Sequence, residues 1–281
     1  MKKETLKTSG ASLTIYFHGP SWQDKPTATL GDLSFKEPAA GTELLDEALK
    51  RLRAEGYTQV LGPMSGDTWH SYRFVSESDG SPAFLLEPDH APHELAILKA
   101  AGFQPVAHYF SARIALTEAE HEAPPTTDAF HVTAWDGKNP EELFREVFAL
   151  SAQAFANNAF YTPISEEDFL AMYLPLVPLM VPELIFFARC PKGSLVGYLF
   201  ALPNYANGQQ ETSVILKTYA SLVPGAGRHL VHAFHGAAQA KGYQSAIYAL
   251  IHDDNKSAER SRVEGGEVFR RYELLGLRLN A

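Results

Sequence analysis

The chain has 281 residues, enough for about two domains; 45% are apolar and 20% charged, and 24 Lys and Arg against 33 Asp and Glu leave a net charge of −9. That composition supports a packed core and excludes a low-complexity chain; without a basic block it argues against a phosphate-backbone partner, so no nucleic acid is expected. One cysteine, Cys190, excludes an internal disulfide and fits a reducing, cytoplasmic setting, and no run approaches the ~20 apolar residues of a membrane span, so no membrane partner is expected. The N-terminus, Met1-Lys2-Lys3-Glu4-Thr5, is basic but lacks a following apolar stretch of signal-peptide length.

In chain order, residues 27–35 read as a strand by β-branched and aromatic content. A Pro38-Ala39-Ala40-Gly41 turn leads into a helix over 42–54, where Leu44, Leu45, Ala48, Leu49 and Leu52 share one face. Gly56 stands where a helix C-cap glycine is expected, and a strand over 58–61 follows. Residues 117–128, charged and then Pro-rich, read as a linker dividing the chain into domains 1–116 and 129–281.

Beyond the linker, 129–135 reads as a strand, Asn139-Pro140 as a helix N-cap followed by its first residue, and Ser165-Glu166-Glu167-Asp168 as a capping box. Strands over 184–188 and 195–202 flank a Pro191-Lys192-Gly193 turn. Then come a strand over 212–219, a Pro224-Gly225-Ala226-Gly227 turn, a helix over 228–240, Gly242, a strand over 244–251, and a closing short helix over 268–275 ending at Gly276. The result is a mixed α/β chain. Residues 38–57 also align with 224–243 at a constant offset of 186, with seven identities in 20 and no gap, which points to a duplicated unit. Recurrent turn and cap chemistry accounts for part of that likeness.

The run Lys217–Val231 carries the clearest chemistry. A strand enters Pro224-Gly225-Ala226-Gly227 and passes directly into a helix. Small residues let successive amides face one concavity, and the helix start adds partial positive charge, which makes a site for an anion such as a diphosphate. Arg228 can add a charge-assisted contact. The same residues also suit a tight strand-to-helix turn with no ligand. His229, His232 and His235 recur every third residue but drift around the helix, and no acid or Cys pattern joins them, so no metal is expected.

The order of elements from 129 onward, Gly225 and Gly227 in the turn, Asn255 after the next strand, Tyr272 four residues before Gly276-Leu277, and Gly197 in Leu195-Val196-Gly197-Tyr198 together resemble the GNAT acyltransferases. The first half looks like a degenerate copy, and its Gly62–Arg73 segment is similar to a motif of bacterial tandem-GNAT proteins. The resemblance implies two GNAT-like domains, each a mixed, mostly antiparallel sheet flanked by helices, and acetyl-CoA as acyl donor.

The resemblance also implies site residues. The donor would be held by Thr218, Tyr219, Val223, Gly225, Ala226, Gly227, Arg228 and Asn255. Tyr272 would act as general acid on the leaving thiolate, with Glu211, His252 or a water as base. The acceptor, a small-molecule or protein amine, would meet Trp69, Tyr72, Arg73, Phe160 and Tyr161. The chain departs from the family pattern at Leu222, where Gln or Arg is usual, and at Leu98, where the first half lacks the tyrosine. Glu37 sets a carboxylate at the first half's own turn, so only the second half is expected to hold the donor. Two other readings stand beside this one: a binding module that has lost transfer, and an aminoacyl or peptidyl transferase, which the −9 charge opposes. A homodimer is compatible with all three.

Overall fold

A computed structural model describes residues 2–116, 123–207, 212–254 and 265–279. It divides into two compact units, one of Met1–Phe110, Asn158–Thr162 and Arg270–Ala281, the other of Ser111–Asn157 and Pro163–Phe269. These sets differ from a cut at 117–128, because two long strands, β6 (Gln104–Ala115) and β12 (Glu267–Arg278), contribute residues to both. Among the described residues no helix is long and apolar enough to cross a membrane.

The first unit contains β1 (Lys3–Lys7), β2 (Ala11–Trp22), β3 (Lys25–Phe35), α1 (Pro38–Ala54), β4 (Gln59–Gly62), β5 (Phe74–Ser78) and α2 (Pro92–Ala100). Its strands run β1-β2-β3-β4-β12 across the sheet, antiparallel except for β3 and β4. Helix α1 begins at Pro38, four residues before the expected start, since proline supplies a preset helical φ where no amide bond is needed. Its apolar face (Leu44, Leu45, Leu49 and Leu52) is buried against Leu13, Ile15, Leu30 and Phe103.

The second unit contains β7 (His131–Ala134), α3 (Pro140–Ala154), α4 (Glu166–Tyr173), β8 (Ile185–Arg189), β9 (Leu195–Pro203), β10 (Ser213–Ser221), α5 (Ala226–Ala240) and β11 (Ser245–His252). Its order is β11-β10-β9-β8-β7, antiparallel except for β10 and β11. Ser165 caps α4 by accepting from Asp168 N at 3.0 Å. Asn139 does not cap α3 with its side chain; it adopts φ 48° instead, and its carbonyl accepts the Leu143 amide.

The aligned segments form the same structure. In β3-α1-β4 the parallel partners are Ala28↔Val60 and Thr29↔Leu61; adding 186 to each gives Val214↔Ala246 and Ile215↔Ile247, which are partners in β10-α5-β11. Both helices end in one motif. Gly56 (φ 83°) bonds Arg53 O while Tyr57 bonds Leu52 O, and Gly242 (φ 86°) bonds Gln239 O while Tyr243 bonds Ala238 O.

The closing segment corrects a sequence expectation. Residues 268–275 are not a helix but the middle of β12, paired with β4 and β5. Apolar residues at 268, 272 and 275 fit helical spacing, but the stretch also suits a strand, and pairing with two neighbours decides for the strand. Gly276 therefore ends no helix. A Cβ there would lie 2.7 Å from the Trp22 ring, so glycine is what lets Trp22 approach β12 this closely.

Candidate functional site

In the second unit, β10 pairs in parallel with β11 from Ser213↔Ser245 to Leu216↔Tyr248, and the pairing stops there. Lys217 is the cause on the β10 side. It is an extra residue against β9, whose register jumps from Leu216↔Ala201 to Thr218↔Phe200. Such a bulge bends a strand and sharpens its twist. Beyond it, Thr218–Ser221 stay with β9, while β11 runs on to His252. The two central strands thus part at Leu216 and Tyr248.

The parted strand β10 leads straight into the glycine turn. Gly225 is the N-cap of α5, at φ 86°, and a Cβ built on it would meet nothing within 4 Å. Ala226 and Gly227 are buried, whereas Gly225 and Arg228 are exposed and Val223 is half-buried. The Arg228 amide bonds Gly225 O at 2.9 Å; an α-helix start offers further amides that lack intrahelical acceptors. Glycine at 197 lets the helix close in: a Cβ there would stand 3.2 Å from Leu230 of α5, from Ala220 O and from Ser221. Leu222, at the position where a polar residue is usual, is exposed, and its amide bonds Val196 O at 2.9 Å.

Behind β10, Tyr198 is buried and shares a 2.7 Å hydrogen bond with Ser151 of α3; burial pushes its phenol up. Tyr248, at the last parallel pair, lies 2.9 Å from His235 of α5, with both side chains buried. Among the described residues no three His, Cys, Asp or Glu gather as metal ligands. Two surface concavities of about 530 and 470 Å³ lie near Asn139 and Trp135, and neither is lined by residues of the glycine turn.

The equivalent place in the first unit is filled. There the Leu30 carbonyl accepts the Met64 amide at 2.7 Å, and a Cβ on Gly31 would stand 2.5 Å from Ser65 Cα. Gly31 is Lys217 less 186. Backbone occupies the position where β10 opens away from β11.

Tyr272 belongs to the first unit. It is fully buried, and its hydroxyl donates to Glu87 Oε1. Glu87 also binds buried Arg270, which donates to Ser81 O at 2.6 Å. In this structure the hydroxyl proton is donated to a carboxylate; the expected role as proton donor to a thiolate came from the family resemblance at Tyr272 and Gly276-Leu277. Glu211 and Asn255 lie outside the described residues. His252 ends β11, where its Nδ1 accepts the Asp254 amide at 3.1 Å.

Of the expected acceptor residues, the first unit brings Trp69 and Tyr161 together. Their ring centroids are 6.0 Å apart, and Trp69 Nε1 donates to Thr162 O at 2.9 Å. Buried Asp67 shapes the preceding turn by accepting from the amides of Trp69 and His70. Arg73, buried at φ 78°, sits over the rings of Tyr72 (3.8 Å) and Tyr109 (4.2 Å). Burial raises the Tyr109 phenol. Phe160 is half-buried beside Tyr161, at φ 59°. Sequence reasoning missed the Lys217 bulge and the Met64–Ser65 plug. Extending the offset of 186 upstream of the aligned repeat, to Gly31 and Lys217, was the available signal.

No protein-family model matches the chain, and no curated protein matches its sequence. Solved structures do match. A GCN5-related N-acetyltransferase from Sphaerobacter thermophilus superposes with a TM-score of 0.58 at 15% identity, covering 97% of this chain and 78% of that one. A tandem GNAT protein from the clavulanic acid biosynthesis pathway gives 0.55 at 13%, covering 99% and 83%. A GCN5-related N-acetyltransferase from Anabaena variabilis gives 0.57 at 11%, covering 96% and 60%. Mixed, mostly antiparallel sheets flanked by helices, a repeated β-α-β register and these superpositions agree: the chain has the fold of the GCN5-related N-acetyltransferases in its tandem form.

Proposed function

We propose that the chain is an acetyl-CoA-dependent N-acyltransferase whose donor site lies in the second unit. The observation that carries this reading is the parting of β10 from β11 at the Lys217 bulge, upstream of the glycine turn that starts α5. A parted strand offers a slot with main-chain groups along it, and the glycine turn beyond it offers amides and a positive helix end to a diphosphate. The open space at Gly225 and the exposed Arg228 fit such a group. Thr218 and Tyr219 would line the slot; Val223, Gly225, Ala226, Gly227 and Arg228 would hold the diphosphate. When bound, acetyl-CoA supplies an activated acyl group. The chain's part is to orient it, donate amide hydrogen bonds to the acyl oxygen and exclude water. The plugged place in the first unit supports a single donor site.

The acceptor is a small-molecule or protein amine, with Trp69, Tyr72, Arg73, Phe160 and Tyr161 as its candidate contacts. Tyr272 takes no proton-transfer part in this reading. A binding module without transfer is the alternative, and the commitment of Tyr272 to Glu87 favours it.

Calorimetry with acetyl-CoA tests the donor site. A site of micromolar affinity that Gly225→Glu or Arg228→Glu weakens by tenfold or more supports it, and no heat at millimolar ligand refutes it. Thiol release with a panel of amines then separates transfer from binding alone.

A further inference from the structure

His229 lies in the first turn of α5. Its two ring nitrogens face two main-chain carbonyls: Nδ1 is 3.1 Å from Gly225 O, and Nε2 is 3.1 Å from Pro125 O. A carbonyl oxygen only accepts, and a neutral imidazole carries one N–H and one lone pair. Either neutral tautomer therefore turns a lone pair on a carbonyl. Only the doubly protonated ring donates to both. The edge-on contact with buried Phe130, 4.9 Å between centroids at 89°, completes the seat.

We propose that His229 is a proton-dependent latch on the diphosphate turn: as imidazolium it fastens the Pro125 stretch to the carbonyl of Gly225 and adds a positive charge to the anion site. The ligand class is a diphosphate ester, so this rests on the donor-site reading above. The helix start by itself disfavours a cation, and a bound anion reverses that. Proton and diphosphate consequently favour one another, and the coupling is reciprocal.

Other titratable and charged groups stand on the elements packed against α5. They are His131 on β7, Arg189 on β8, Tyr198 on β9, Lys217 and Tyr219 on β10, and Glu183 in the 3-10 turn Pro182–Leu184. Asp128 follows in the fastened stretch, and Arg228 and His232 lie on α5 itself. Arg189 pairs with Glu146 at 2.7 Å and Glu183 with Lys241 at 3.2 Å. The partners of both His229 nitrogens are carbonyls.

Two measurements on the full chain test the latch. In the ligand-free protein, ¹⁵N spectra of the histidine rings followed from acid to alkaline pH should show that the protonated His229 ring donates from both nitrogens to hydrogen-bond acceptors; a protonated ring with either N–H left to solvent overturns the proposal. The affinity for coenzyme A should fall about fivefold from pH 6 to pH 8.5, across the interval in which histidines exchange their proton. His229→Gln should start about fivefold weaker at pH 6 and lose that pH dependence, while His229→Arg, which keeps the charge, should stay within about twofold of the natural chain at pH 6. A Gln variant with unchanged affinity and an unchanged pH profile also overturns it. If coenzyme A does not bind at any pH, the donor-site reading fails, and the ring spectra still decide the latch.

Discussion

Replacing Tyr272 with phenylalanine separates a structural role from a proton-donating one. The ring is fully buried, so Phe fills the same space and leaves no cavity. What is lost is the hydroxyl's bond to Glu87, a carboxylate that also accepts from Arg270 and from the Phe84 amide at 3.2 Å. Glu87 and Arg270 are 1% and 4% exposed, so water cannot take the place of the lost donor. A hydrogen bond to a charged group contributes about 1.5–3 kcal/mol. For a chain of this size that lowers Tm by on the order of 5 °C. Glu87→Gln should cost more, about 3–5 kcal/mol, because it leaves the buried Arg270 charge with the partly exposed Asp79 carboxylate, 3.8 Å away, in place of a buried one. The two substitutions should be non-additive, since they share one network. Thermal unfolding followed by circular dichroism measures these shifts, and thiol release at saturating donor and acceptor measures transfer. Transfer by Tyr272→Phe should stay within about threefold of the natural chain, whereas loss of a general acid costs about 10²–10⁴-fold. A hundredfold slower Tyr272→Phe enzyme with an unshifted Tm would refute the structural assignment.

Other substitutions probe the first unit. Glu94 accepts from the Phe35 amide at 2.7 Å and the Ala91 amide at 3.1 Å and lies 3.3 Å from His90, tying α2 to the end of β3. Burial pushes its carboxyl up, but His90 and these amides outweigh burial and hold it below the usual carboxylate range. A depressed carboxylate stabilises the fold above its unfolded pKa, and that contribution is lost as pH falls through the folded value. Glu94→Gln has one oxygen for two amides and should cost about 2 kcal/mol at pH 7 in urea unfolding. The gap from the natural chain should narrow below pH 4; a gap that does not change with pH counts against the carboxylate's role. Gly276→Ala should lower stability by about 1–3 kcal/mol through its clash with Trp22, and Trp22→Ala in the same chain should recover part of that particular clash; strictly additive losses would disprove the contact.

The legible parts of the fold were those governed by local chemistry. Gly56 and Gly242 were placed as helix ends from sequence because a left-handed residue after a helix is a glycine problem solved within six residues. Ser165 was readable as a cap for the same reason. The closing strand was not, since eight residues with apolar positions at 268, 272 and 275 satisfy two periods, and the choice belongs to β4 and β5, far away in the chain. The glycine turn of the candidate site was found from its own residues. The Lys217 bulge was not: an extra residue is defined only against the register of β9, which a single strand's sequence does not contain. Of the α5 histidines, the spacing told that they drift around the helix but not their partners, which for His229 are the Gly225 and Pro125 carbonyls and for His235 the Tyr248 hydroxyl.

The two parallel β-α-β repeats show how little separates an open slot from a closed one. Register and helix ends coincide at an offset of 186, so the scaffold alone does not distinguish them. At the point where the parallel pairing ends, one repeat has Lys217 and the other Gly31. A lysine side chain excludes close backbone from its own position and here accompanies a bulge that turns the strand away. Glycine admits backbone, and Met64 and Ser65 take the space. The Leu30 carbonyl, which would otherwise face the opening, is satisfied by the Met64 amide. A buried main-chain group so satisfied gives a ligand nothing to replace without a loss of about 1–3 kcal/mol. The first repeat therefore resists opening on energetic grounds as well as steric ones, and a coenzyme that finds one turn of this protein should not find the other.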